Sequence, residues 1–231
     1  IDFLSHFRRR GFRVSLPDQR LTIVAFLDER PFHRFFPESV GANIVGGYSR
    51  EKNWVILFDW RNVPQRSRSG VANMTTLAHE AMHQLCFNTG LLTRGTDIPL
   101  TIVEGFGMYA ESRKLNGRSD LGRTNRTRLD ELAHILRRRE WMTVKELLVV
   151  DHSVLGQGRD TVELFYAESW LLVDYLMGDP ECLPRFQAYL QALAKRFDAS
   201  HRIDDAETYL GDLDRVDRDL RGYLVRLQNG A

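Results

Sequence analysis

The chain has 231 residues, 43% of them apolar and 27% charged, which suits one globular domain with a substantial core or one domain with a helical appendage. A net charge of +1 gives no electrostatic footprint for nucleic acid, so no nucleic-acid partner is expected. No apolar run reaches the roughly 18 residues of a membrane span, so no integral membrane segment is expected either.

The chain opens on Ile1 rather than Met, which reads as a processed or truncated product; this is compatible with an extracytoplasmic setting and does not fix the compartment. Cys86 and Cys182 are the only cysteines and read as two buried thiols rather than one bridge.

Taken in order, Ile1 to Arg13 sets Phe3, Leu4, Phe7 and Phe12 beside Arg8, Arg9 and Arg10, a short amphipathic helix with a solvated basic face. Leu21 to Leu27 is a continuous apolar run and reads as a buried strand. Pro31 to Phe36 suits a short helix with proline in its first turn. Ile44 to Tyr48 reads as a strand broken by a glycine pair, and Trp54 to Trp60 as the strongest strand in the chain, with a hairpin turn near Ser49 to Asn53.

Val63 to Gly70 is a polar loop leading into a helix over Val71 to Asn88, which Gly90 stops. A second helix is expected over Leu100 to Leu115. Asn116 to Thr127 is rich in Gly, Asn and Arg and reads as a mobile exposed loop, a lid or partner surface. Further helices are expected over Arg128 to Arg139, Glu163 to Met177, Glu181 to Phe197 and Asp212 to Gln228, while Thr143 to Val149 is ambiguous. Strands first and helices after make the class α+β: a small, mostly antiparallel N-terminal sheet packed on the Val71 to Asn88 helix, then a helical half. The strand-rich part spans about 14–115 and the helical subdomain about 116–231, within a single domain.

The chemistry concentrates in His79-Glu80-Ala81-Met82-His83, an H-E-x-x-H pattern. Residues four apart on a helix lie one turn apart on one face, so both imidazoles can reach one Zn²⁺ at about 2.0–2.1 Å. Glu80 lies about 100° round the helix, where it can take a proton from a water but cannot share the metal well. Met74, Leu77, Ala78, Ala81, Met82 and Leu85 form a buried face, and Thr76, His79, His83 and Phe87 a separate stripe. The competing reading is two buried histidines satisfied by hydrogen bonds.

A catalytic zinc site needs a third protein ligand and an open position. Glu104, 21 residues after His83, is the best placed, on a helix that returns antiparallel with Gly105 and Gly107 allowing close approach. Glu111, seven residues further and two turns along the same face, can accept a hydrogen bond from a ligand imidazole. The plain alternatives are a dipole-favoured carboxylate at the helix start for Glu104 and a surface charge for Glu111.

H-E-A-M-H, then E-G-F-G-M-Y-A-E, then Y-A-E-S-W-L-L-V-D-Y-L together resemble the gluzincin metallopeptidases of the peptidase MA-like group, including its small bacterial domains of uncharacterised function. The resemblance runs from about Leu21 to Leu193 and implies His79, His83 and Glu104 as metal ligands, Glu80 as general base and Glu111 as the carboxylate behind a ligand imidazole. It also implies an oxyanion-binding role for Tyr166, 62 residues after Glu104, although a tyrosine in this setting is as often core packing. Thr101 stands where a Trp is common in the group, and no exopeptidase signature is present.

The resulting expectation is zinc-dependent hydrolysis of a peptide or protein substrate, which pairs with Ile44 to Tyr48 or Trp54 to Trp60 by strand addition. The alternatives are a zinc-holding domain used for binding or assembly and a helical domain without metal.

Overall fold

The structure, a computed structural model, describes residues 2–37, 45–59, 70–112 and 120–230. It is α+β, with a three-stranded sheet near the start of the chain followed by a helical half. The chain opens with helix α1 (Asp2–Arg9), whose Phe3 and Phe7 are buried in the main core.

The strands are β1 (Thr22–Phe26), β2 (Gly46–Ser49) and β3 (Trp54–Phe58), in the order β1-β3-β2. β2 and β3 form the expected antiparallel hairpin, with Tyr48 opposite Val55. β1 instead pairs parallel with β3, Val24 opposite Ile56. The sheet is therefore mixed rather than mostly antiparallel, because helix α2 (Glu29–Phe35) takes the chain across the sheet between β1 and the hairpin.

β1 is also not the buried strand its apolar run suggested: Ile23 is 52% exposed, as suits an edge strand covered on one face. β3 is the central strand and is buried from Val55 to Phe58. Ile56 and Phe58 pack with Phe32 of α2 in a small cluster on one face. Alternation turns Leu57 to the other face, where Gly46 brings β2 against Thr76 of helix α3 (Gly70–Asn88). Trp60, Ile44 and the loop from Val63 to Ser69 lie outside the described residues.

α3 carries the H-E-x-x-H residues. Its buried side is Met82, His83, Gln84, Cys86 and Phe87, whereas Met74, expected on the buried face, is 46% exposed. Gln84 donates to the main-chain carbonyls of Thr22 (3.2 Å) and Asn53 (2.7 Å), tying the helix to the sheet. Gly90 has φ +82°, the left-handed conformation that ends a helix.

Helix α4 (Leu100–Tyr109) is buried at nearly every position and packs between α3 and helix α7 (Arg159–Gly178). α7 runs through the centre of the main core and is buried from Ala167 to Met177, its polar Glu168, Ser169 and Asp174 included. Around it stand α5 (Arg126–Ile135), α6 (Val144–Val149), α8 (Cys182–Leu193), α9 (Arg202–Leu210) and α10 (Leu213–Asn229).

α6, ambiguous in the sequence, is fixed by a capping box between Thr143 and Glu146. α9 has no counterpart among the expected helices. Cys86 and Cys182 are both free thiols, the first buried and the second partly exposed. No helix among the described residues is long and apolar enough to cross a membrane.

Candidate metal centre

Helix periodicity brings His79 and His83 to one side of α3, with ring centroids 4.7 Å apart and planes at 83°. α4 runs antiparallel beside them. Glu104 reaches both histidines, whereas Gly107 and Glu111, further along the chain, meet His79 alone. Oε2 of Glu104 lies 3.2 Å from Nε2 of His79 and 3.7 Å from Nε2 of His83.

Among the described residues, His79, His83 and Glu104 are the one group of three or more such side chains able to hold a metal, with ligand atoms within 4.8 Å of one another. Tetrahedral zinc with bonds of about 2.0–2.1 Å separates its ligand atoms by about 3.3–3.4 Å, so the observed spacing fits a metal with small adjustment. The set also suits zinc chemically: two imidazoles and one carboxylate leave a fourth position open.

The glycines of α4 have separate tasks. A Cβ at Gly107 would fall on the His79 ring, and one at Gly105 would fall 2.5 Å from the Ser169 carbonyl of α7. One glycine admits the His79 imidazole, and the other lets α4 and α7 approach. Thr101 is buried and donates a 2.8 Å hydrogen bond to Ser169, so its hydroxyl helps fasten α4 to α7.

α4 ends at Tyr109, short of the expected Leu115, and residues 113–119 lie outside the described residues. Glu111 therefore follows the helix cap at Ala110 instead of sitting two turns along a continuing helix. The turn still delivers it: Oε1 lies 3.0 Å from Nδ1 of His79. With Nδ1–H donated there, Nε2 faces Glu104 and the proposed metal position.

Two residues the sequence did not point to complete this side of the site. Arg128 donates to both oxygens of Glu111, from Nη2 to Oε1 (3.0 Å) and from Nε to Oε2 (3.2 Å). Asn125 donates to Oε2 (2.9 Å) while its own oxygen caps α5. Asn125 is buried, so the end of the expected mobile loop is instead anchored beside the site; residues 116–119 lie outside the described residues. The available signal was an asparagine directly before a helix, a common N-cap.

Electrostatics follow from this crowding. Burial alone would depress the pKa of His79, but hydrogen bonds to Glu104 and Glu111 outweigh it and raise the value to about 10. Burial would raise Glu104, yet the two histidines hold it well below the usual carboxylate range. Burial likewise opposes Glu111, which His79 and Arg128 bring down to about 2. The two ionised carboxylates thus flank the His79 ring, Glu111 at Nδ1 and Glu104 at Nε2.

Glu80 sits on a different side of α3, where burial raises its pKa; His79 and His83 act against this, as does a hydrogen bond from the Tyr48 main chain of β2. Tyr166, on α7, makes no hydrogen bond among the described residues and packs at the edge of the core. Burial, then the charges of Glu104 and Glu80, raise its pKa well above 10, so it keeps its proton.

Residues 73–198, more than half of the chain, match the family model described as protein of unknown function, DUF1570. The chain belongs to the DUF1570 family. The DUF1570 match takes in His79, Glu80, His83, Glu104, Glu111 and Tyr166, together with Asn125 and Arg128. No curated protein and no solved structure matches the chain.

Proposed function

We propose that this chain is a zinc metallopeptidase of gluzincin type, with His79, His83 and Glu104 as metal ligands. The observation that carries the reading is the convergence of two imidazole nitrogens and one carboxylate oxygen within 4.8 Å, with Glu80 beside them on the same helix. Bound there, zinc would supply Lewis-acid polarisation of a carbonyl and acidify a water towards a pKa of about 7.

The chain's own residues supply the rest. Glu80, whose pKa burial raises, takes a proton from the attacking water and passes it to the departing amine. Tyr166 donates its unshared phenolic proton to the oxygen that gains charge. Glu111 keeps His79 turned with Nε2 inward.

The substrate is an extended peptide or protein segment paired with the outer edge of β2. β3 cannot take that part, because β1 and β2 occupy both of its sides. β2 lies beside α3, its Tyr48 main chain close to Glu80 and its Gly46 against Thr76. An extended chain laid along this edge would gain main-chain hydrogen bonds and pass the general base.

Replacing Glu80 with Gln tests the mechanism. The variant should bind zinc like the parent and lose chelator-sensitive cleavage of a peptide library. Undiminished cleavage would remove Glu80 from the mechanism.

A second reading, a zinc domain that binds partners without cleaving them, draws on the low exposure of the ligand side chains, 8–14%. Zinc binding with no product across the library would favour it.

A further inference from the structure

We infer that Arg128 and Asn125 are positioning residues of the metal centre: they fix Glu111, and Glu111 fixes His79. This rests on the proposed zinc site and adds to it one residue of α5 and the N-cap residue before it.

An ionised carboxylate offers about four acceptor positions. Glu111 has four donors: His79 Nδ1 and Arg128 Nη2 on Oε1, Asn125 Nδ2 and Arg128 Nε on Oε2. Its side chain is 7% exposed, so water has little room to replace any of them. A carboxylate held at every acceptor position cannot rotate. It cannot swing towards the metal to compete with Glu104, nor release Nδ1 of His79.

Of the four donors, only His79 belongs to the ligand set. The other three come from α5 and its N-cap residue, and both residues are themselves held. Arg128 also donates to Glu131 at 2.8 Å, which anchors the far side of its guanidinium. Asn125 Nδ2 also reaches the Met108 carbonyl of α4 (3.1 Å), and Asn125 Oδ1 accepts from the Arg128 main chain (3.3 Å). The start of α5 is thereby fastened to the end of α4 at the point where Glu111 leaves it.

Geometry separates this role from simple helix packing. Asn125→Asp keeps the oxygen that caps α5 but replaces the amide donor with a negative oxygen facing Glu111. Arg128→Met removes the fork and its charge, and Arg128→Lys keeps the charge without the paired donors. A purely structural role would change unfolding without changing metal affinity.

The test is zinc affinity of the full chain, measured by competition with a chromophoric chelator, with far-UV circular dichroism confirming the fold. Arg128→Met and Asn125→Asp should each weaken zinc binding about tenfold or more, and Arg128→Lys by less. In a Glu111→Gln background, Arg128→Met should lower affinity by no more than about threefold further, since the group it acts through is already lost. Folded Arg128→Met or Asn125→Asp protein binding zinc within twofold of the parent would overturn the inference. So would an equal loss from Arg128→Met in both backgrounds. Should Arg128→Met not fold, Asn125→Asp and Arg128→Lys carry the same readout. Failure of the parent chain to bind zinc would instead overturn the site reading itself.

Discussion

Gly107 lies against the imidazole of His79: a Cβ at that position would come within 2.6 Å of both Cε1 and Nε2 of the ring. Helix α4 therefore has no side chain where it passes the His79 ring. Gly107→Ala would push the imidazole away without removing any donor atom. Overpacking costs roughly 1–3 kcal/mol, partly offset by about 1 kcal/mol of helix propensity gained over glycine. Thermal unfolding of the metal-free protein should shift by only a few degrees, while zinc affinity should fall about tenfold or more. Unchanged affinity would show that the imidazole has more freedom than the packing implies.

Glu168 gives a pH-dependent prediction independent of the metal centre. It is fully buried on α7 and, among the described residues, accepts from the Met142 main chain alone, at 3.2 Å. Burial pushes its pKa to about 9, with the Met142 hydrogen bond acting against the rise. A carboxyl whose folded pKa is raised favours folding fully below its unfolded value of 4.5, and that contribution is lost as pH rises to about 9. Glu168→Gln stays neutral throughout. The variant should therefore gain thermal stability over the parent steadily from pH 5 to 9, by a few kcal/mol at the upper end. Parallel melting curves for the two proteins across this range would show that Glu168 is ionised and satisfied in the fold.

Asp97 and Arg202 fasten the loop between α3 and α4 to the start of α9. Two hydrogen bonds of 2.7 Å join them, and their side chains are only 18% and 13% exposed. Arg202 also lies 3.4 Å and 3.5 Å from the carbonyls of Leu148 and Val150. Removing one partner of a pair this buried leaves the other charge uncompensated. Asp97→Ala should cost about 3 kcal/mol in urea denaturation, with zinc affinity held within about threefold. A loss under about 0.5 kcal/mol would place this pair among exposed surface bridges.

The convergence of His79, His83 and Glu104 was legible because a single period carries most of it. H-E-x-x-H fixes two imidazoles on one helix face, and an antiparallel return helix is the short route for a carboxylate about twenty residues on. The expected continuation to Leu115 misled in detail, since α4 stops at Tyr109 and a turn, not a helix, presents Glu111. Arg128 and Asn125 were illegible for a different reason. Asn125 falls in a polar, glycine-rich stretch and Arg128 in the first turn of an expected helix, where both look solvent-directed, and only tertiary packing sets them against Glu111. α9 was missed because its buried side includes Asp205, whose carboxylate pairs with Arg196. A polar residue on the packed face breaks the apolar repeat. The parallel pairing of β1 escaped because the pattern of a strand fixes which face is buried, not the direction of its neighbour.

The measurement that bears most directly on the central claim is zinc stoichiometry by elemental analysis after equilibrium dialysis. It should be made on the parent chain and on His79→Ala, His83→Ala and Glu104→Ala. One zinc per chain is expected in the parent, falling to a small fraction in each variant that stays folded. A parent chain without zinc, or variants that hold it undiminished, would contradict a metal centre built from these three residues.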